Sequence, residues 1–174
     1  MTDYNYHAAL ADLDRGPQEI QTLLELWNRY RAGDRLPLKS KMDPVDFKTH
    51  LGRICVIEVL REPLDFIYRL DGTEISATSN EDLHSLSILD GTPAEVYQNH
   101  FQEFKITLEA AEPHLWHVRY SQDPQTFEYL RLMLPFTRTD KTAAAVPDFF
   151  MTYCYSLSSS DGSFPTFRHL STHS

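Results

Sequence analysis

Apolar residues between Gly16 and Gly33 recur at three- and four-residue steps, with Ile20, Leu23, Leu24, Trp27 and Tyr30 on one face. That spacing predicts an amphipathic helix of about four turns. Pro17 suits its first turn and Gly33 its C-terminal stop. Further on, Asp43 reads as an N-cap, Pro44 as a first helical position and Asp46 as an acid at the positive end of a short helix running to Leu51. The pattern then changes to alternation. RICVIEVLR and LDFIYRLDGT (53–61 and 64–73) read as two strands joined by a tight turn at Glu62 and Pro63. In the second strand Phe66, Tyr68 and Leu70 point one way, and Asp65, Ile67, Arg69 and Asp71 the other. Residues 74–92 are mixed and polar, with one or two short helical turns. The segment 92–113 predicts the clearest helix, with Thr92 and Glu95 spaced as a capping box and Pro93 in the first turn. Tyr97, Phe101, Phe104, Leu108 and Ala111 form its buried stripe, and Pro113 ends it. Three aromatic-rich strands follow, HLWHVRYS, FEYLRLMLPFTR and DFFMTYCYSL, the last two joined through 139–147. The order predicts an α+β domain with five mostly antiparallel strands and one covered sheet face.

Composition narrows this picture. A chain of 174 residues suits one domain, and can bury about 70% of its unfolded surface without a metal or disulfide staple. Residues 1–16 read as a flexible N-terminal arm, 17–158 as the domain and 159–174 as a loose, Ser-rich tail. The net charge of −9 argues against a nucleic-acid partner, which needs a basic surface. The start of the chain lacks a basic, apolar leader, and no apolar run approaches the ~18 residues of a membrane span. The expected setting is the cytoplasm, with no membrane partner. Two cysteines far apart, Cys55 and Cys154, are not a secreted disulfide framework.

Taken together, Trp27, Leu36, Pro37, Asp43, Pro44, Tyr68, Arg69, Leu70, Gly72 and Thr73 carry a wider pattern. The chain has a Trp-bearing helix, a Leu-Pro turn, an Asp-Pro step, a hairpin and a Tyr-Arg-Leu-x-Gly-Thr segment. A weaker match covers LMLPF, Leu132 to Phe136. From about Leu23 to Leu157 the chain resembles a bacterial family of stand-alone PAS-like domains. It departs from that pattern with Lys39 and Lys41 where an arginine is usual, and with Asn80 and Ser85 in place of glycines. The resemblance implies a five-stranded antiparallel sheet in the order 2-1-5-4-3 with helices over one face, and here an added N-terminal helix. It implies a sensory or regulatory role in signal transduction, exercised by binding a small molecule between sheet and helices or by dimerising. The order would also make the first and last strands neighbours, bringing Cys55 and Cys154 close. Buried cysteines acting as small hydrophobes are the plainer reading of that pair.

Chemistry in the sequence is sparse. His114 and His117 fall on opposite faces of a strand, which is wrong for a shared metal ion, and His169 with His173 lies in the tail. His100 sits on the polar flank of the long helix and reads as a solvated residue. No GxSxG or Gly-rich phosphate loop occurs. The expected reading is a non-catalytic domain without metal or cofactor. PAS domains are known to take haem and flavin, but neither cysteine sits in a flavin-reactive motif, and only His100, His114 and His117 could face a haem. Phe66, Tyr68, Trp116 and Leu132 are the candidate ligand contacts, with the Leu130, Leu132 and Leu134 set chosen over Tyr129, Arg131 and Met133 as the inward side of its strand. Arg69 reads as one half of a cross-strand ion pair, for example with Glu58. Gly72 reads as a positive-φ turn residue and Thr73 as a helix cap. Trp27, Leu23 and Tyr30 are the candidate homodimer surface, beside an unidentified signalling partner. A small isomerase or dehydratase on a cone-shaped scaffold, and a purely dimerising interaction protein, are the alternative functions.

Overall fold

The β-branched and aromatic residues of ICVIEVLR and LDFIYRL form the hairpin of β2 (Ile54–Arg61) and β3 (Leu64–Leu70), following β1 (Tyr4–Ala11) and helix α1 (Gln18–Arg31) in the chain. The computed structural model describes residues 4–79, 82–90, 94–122, 125–139, 145–159 and 162–163. After the hairpin come α2 (Thr73–Ser79), α3 (Ala94–Ala110), β4 (His114–Gln122), β5 (Gln125–Phe136) and β6 (Phe149–Ser156). The strands form one antiparallel sheet in the order β1-β4-β5-β6-β2-β3.

Without β1, and counting strands from β2, that order is the expected 2-1-5-4-3. The sheet nevertheless has six strands and not five. The sixth lies in the stretch that reads as an arm: Tyr4–Ala11 pairs along β4, with Tyr6 opposite Tyr120 and Ala8 opposite Val118. Asn5 and the three alanines dilute the strand preference of Tyr4 and Tyr6, so the free backbone edge of β4, more than propensity, accounts for the strand. Most of the expected tail lies outside the described residues, as do Thr92, the first member of the expected Thr92–Glu95 capping box, and Pro93.

A second correction concerns the covering of the sheet. Helices pack on both faces. Ile20, Leu23, Leu26 and Trp27 of α1 meet Ile54, Leu115, Leu130, Leu132, Leu134 and Tyr153 on one face. Phe104 of α3 and Ile88 meet Cys55, Ile57, Phe66, Trp116, Met133 and Phe150 on the other. Each fully buried large side chain contributes about 1.5–3 kcal/mol relative to exposure. The Trp27 indole donates to the Pro135 carbonyl at 2.8 Å. Tyr30 stacks on Phe47 with centroids 6.0 Å apart and donates to Asp46 at 2.8 Å. Leu23 and Trp27 are buried in their own domain. Two of the three residues expected as a homodimer surface, Leu23 and Trp27, are therefore internal contacts, because the apolar stripe of α1 is spent on the sheet, while Tyr30 is half-buried against Phe47.

The short helix after Asp43 is a 3₁₀ turn, Pro44–Phe47, with Asp43 accepting from the Val45 amide at 2.9 Å as an N-cap should. Gly72 is not in the positive-φ region; the glycines that are, among those described, are Gly33 and Gly162. Gly72 is needed for a different reason. A Cβ there would lie 2.4 Å from the Gly52 carbonyl oxygen and 2.6 Å from its carbon. Two backbone segments pass each other at a distance that excludes any side chain. The Ile75 and Ser76 amides donate to the Gly72 carbonyl at the start of α2, and the Asp71 carboxylate ties the helix to the segment that follows it by accepting from the Ser76 hydroxyl and the Leu83 amide. No helix among the described residues is long and apolar enough to cross a membrane.

Candidate functional site

Alternation along β5 sends Leu130, Leu132 and Leu134 toward α1 and Tyr129, Arg131 and Met133 toward α3. Leu132, expected to contact a ligand with Phe66, Tyr68 and Trp116, is thus on the other side of the sheet from them, fully buried beneath α1. Phe66 and Trp116 do share the α3 face, with Tyr68 packed beside them. Phe66 touches Phe101, Phe104 and Phe150 at centroid separations of 5.2, 5.2 and 6.3 Å. The Trp116 indole donates to Thr107 Oγ1 at 3.3 Å. Both are knitted into the core.

The polar residues of this face converge on Arg131, whose side chain is 8% exposed. Helix α3 runs opposite, and its inward side carries His100, Glu103 and Thr107 at three- and four-residue steps between the aromatic positions. Arg131 Nη1 donates to Glu103 Oε2, and the Glu103 side chain is only 4% exposed. The Tyr6 hydroxyl of β1 donates to the other Glu103 oxygen. Arg131 Nη2 meets His100 Nε2 at 3.0 Å and donates to the Tyr129 hydroxyl at 2.7 Å. The guanidinium carbon stands 5.4 Å from the Tyr129 ring centre, within cation–π range. The rings of Tyr6 and Tyr97 pack edge-on against His100 at 5.4 and 5.2 Å. Cys154 reaches the same guanidinium from β6.

Electrostatics follow from burial. Burial raises the Glu103 carboxyl, opposed by Arg131 and by the Tyr6 hydrogen bond. Burial opposes the Arg131 cation, but Tyr129, Glu103 and Tyr6 favour it and guanidinium does not deprotonate in proteins, so Arg131 stays charged. Burial lifts the Tyr6, Tyr68 and Tyr129 hydroxyls above their ordinary value, so they are neutral. Burial and the adjacent guanidinium hold His100 well below the usual imidazole range. Arg131 can only donate, so His100 Nε2 must be an acceptor, with the ring proton on Nδ1. His100 is therefore part of the buried cluster and not a solvated flank residue.

A pH test follows. His100 is neutral when folded and takes up a proton when unfolded, so its contribution is intact above about pH 6.5 and is lost as pH falls toward the depressed folded value. His100→Gln is expected to flatten the acid-side decline in stability by up to about 1.4 kcal/mol per pH unit. Urea unfolding of both proteins from pH 8 to pH 5 measures it. His50 and His114, also lowered by burial, remain in the variant and cancel in the difference. Equal slopes would show that His100 takes up its proton alike in the folded and unfolded chain, against the depressed value.

Other expected chemistry takes structural roles. Arg69 Nε meets Glu58 at 2.6 Å as expected, and Arg138 joins the same carboxylate at 2.5 Å. His117 pairs with Glu128 at 2.7 Å on one face, and His114 meets Thr107 at 3.0 Å on the other. Cys55 lies opposite Thr152 on the β2–β6 ladder, so it and Cys154 are diagonal neighbours on one face, both free thiols. Burial pushes the Cys55 thiol up to about 12, and Cys154 is raised too, so neither carries thiolate near neutrality. No group of three or more potential ligands for a metal ion occurs among the described residues.

The site was missed in the sequence because only one sheet face was expected to be covered. Arg131 then looked like an outward residue beside a better apolar set. The signal that could have found it was the coincidence of two polar residues, His100 and Glu103, inside the apolar spacing of Tyr97, Phe101 and Phe104. The profile of the PAS domain family matches residues 16–146, from just before α1 to just before β6. No curated protein and no solved structure matches the chain.

Proposed function

Because this chain belongs to the PAS domain family, we propose that its sensory or regulatory role is exercised through a small polar molecule received at the Arg131 cluster, without catalysis. The observation that carries this reading is the ion pair of Arg131 and Glu103 between β5 and α3, surrounded by neutral tyrosines and a neutral histidine. An apolar packing of the same volume would usually be as stable or more so. Buried polar groups with shifted ionisation concentrate where proteins bind or react. The protonated thiols of Cys55 and Cys154 favour binding over covalent chemistry. A ligand with one hydrogen-bonding head group would take its contacts from Arg131, Tyr129 and His100. Phe66, Tyr68 and Trp116 line the same face and would flank its body.

Native mass spectrometry of freshly purified protein, followed by denaturing extraction, tests the reading. The expected result is a stoichiometric small molecule, or a stabilising compound from a metabolite thermal-shift screen. Tyr129→Phe removes one hydroxyl and is expected to weaken that binding by about 5–30-fold, the equivalent of one neutral hydrogen bond left unmade. No bound molecule and no stabilising compound would overturn the proposal. So would binding that Tyr129→Phe leaves unchanged.

A further inference from the structure

Acidic residues outnumber basic ones in this chain, 25 against 16, yet one part of the sheet reverses that balance. Ile54 and Val56 of β2 belong to the cluster beneath α1, and alternation puts Glu58 next on the same face. The Glu58 carboxylate accepts from Arg69 Nε at 2.6 Å and from Arg138 Nη2 at 2.5 Å. Phe149 is its partner across the β2–β6 ladder. The Arg138 guanidinium carbon stands 4.7 Å from the Phe149 ring centre and Lys39 Nζ 4.8 Å from it, so the aromatic ring holds two cations within about 10 Å of each other. The charges are layered. The Glu58 side chain is 16% exposed, against 42% for Arg69 and 56% for Arg138, and Lys39 is exposed as well. Burial opposes the charge on Glu58, but hydrogen bonds from Arg69 and Arg138 hold its carboxyl below the usual range. One carboxylate thus lies underneath and orients the guanidiniums, and three cations meet the solvent. Their backbones are fixed too. The Lys39 amide donates to the Thr137 carbonyl at 2.9 Å and the Arg138 amide to Asp148 at 2.7 Å.

We propose that this patch docks an acidic segment of a partner protein, whose Asp or Glu side chains settle on Lys39, Arg69 and Arg138. Charge complementarity sets the sign of the occupant. Three cations over one buried carboxylate leave positive charge in excess, and guanidinium edges not used by Glu58 suit further carboxylates. Shape sets its size. Small-molecule sites are concave and enclose their ligand, whereas these cationic heads stand about half in water. An extended segment places alternate carboxylates about 6.5 Å apart, within the reach of the Lys39 and Arg138 pair. Nucleic acid asks for a broad basic surface, and this one has three residues. Charges more than about 8 Å away are largely screened at physiological ionic strength, so the patch governs the contact more than the total of −9 does. The surface lies on the α1 side of the sheet and is independent of the Arg131 cluster on the α3 side.

Fluorescence anisotropy of a dye-labelled oligo-glutamate peptide of about ten residues, titrated with the full chain, tests the surface. The peptide is expected to bind at low salt, and to bind at least about tenfold more weakly when salt rises from about 50 to about 500 mM. Lys39→Gln with Arg138→Gln is expected to weaken binding at least about tenfold. Lys39→Arg with Arg138→Lys keeps both charges and is expected to stay within about threefold of wild type. Arg15→Gln with Arg29→Gln removes as much charge from exposed positions elsewhere and is expected to change little. Far-UV circular dichroism checks that each variant folds. No binding at low salt would overturn the proposal, as would binding indifferent to Lys39→Gln with Arg138→Gln. An equal loss in the Arg15 and Arg29 variant would mean that the peptide follows net charge and not this patch. Competition by inorganic phosphate at concentrations as low as the peptide's would mark a small-anion site instead. Self-association of the wild type that the Lys39 and Arg138 variant abolishes would mean that a second copy occupies the surface. Each of these three results would also overturn it.

Discussion

Glu103→Leu is expected to cost about 3–5 kcal/mol of folding free energy, because it leaves the Arg131 guanidinium buried without a counter-charge. For a chain of this length that corresponds to a fall in Tm of roughly 2–4 °C per kcal/mol, and it is a large part of the 5–15 kcal/mol typical of a domain. The single loss does not measure the worth of the pair. It measures the penalty of an orphaned charge. The double variant Glu103→Leu with Arg131→Met removes both charges and is expected to recover more than half of the loss. Recovery falls short of complete because the hydroxyls of Tyr6 and Tyr129 and the His100 lone pair lose their partners. Urea denaturation of the three proteins, compared as a double-mutant cycle, gives the answer. A double variant as unstable as the single one would mean that the ion pair itself holds α3 on the sheet. That would argue against its being kept for binding.

Gly72→Ala is expected to destabilise by about 3 kcal/mol, near the upper end for overpacking in a tight site. The sign is the informative part. At the start of a helix with ordinary negative φ, glycine to alanine normally stabilises by about 0.4–1 kcal/mol through the unfolded chain. Here the new methyl group would meet Gly52 backbone at 2.4 Å and the Arg53 amide nitrogen at 2.9 Å. Backbone cannot swing aside as a side chain can. The strain would part α2 from the turn Leu51–Arg53 and disturb the ion pair between Arg53 and Glu74, 2.9 Å long, that spans them. Thermal unfolding by circular dichroism measures the effect. A stabilised Gly72→Ala would mean that the two segments are free to separate.

The strands and the long helices were legible because their apolar periods are strong. The Trp27 helix follows from its helical spacing and the β2–β3 hairpin with its Glu58–Arg69 pair from alternation, while the neighbouring positions of Cys55 and Cys154 came only with the strand order that the PAS resemblance implies. β1 was illegible for a physical reason. Asn5 and three alanines dilute its strand preference, and its pairing partner lies more than a hundred residues away. The reading of Gly72 picked the right residue and the wrong cause, since a close approach between distant backbones leaves no local trace. The polar site depended on knowing that both sheet faces are covered. Without that, Leu132 competed with Arg131 for a single inside. With it, neighbouring residues of one strand belong to two different interiors.

That arrangement makes β5 intolerant of any change in length. Deleting Leu130 would turn every later side chain over. The leucines would face Glu103 and His100, and a guanidinium would face Trp27 and Leu23. In a strand with one wet face such a slip exposes the apolar set to water; here it would also bury a charge among leucines and set leucines against a buried carboxylate. Insertions and deletions that leave the protein alive are therefore confined to the connections outside 125–136, and tags, labels or linkers belong there as well.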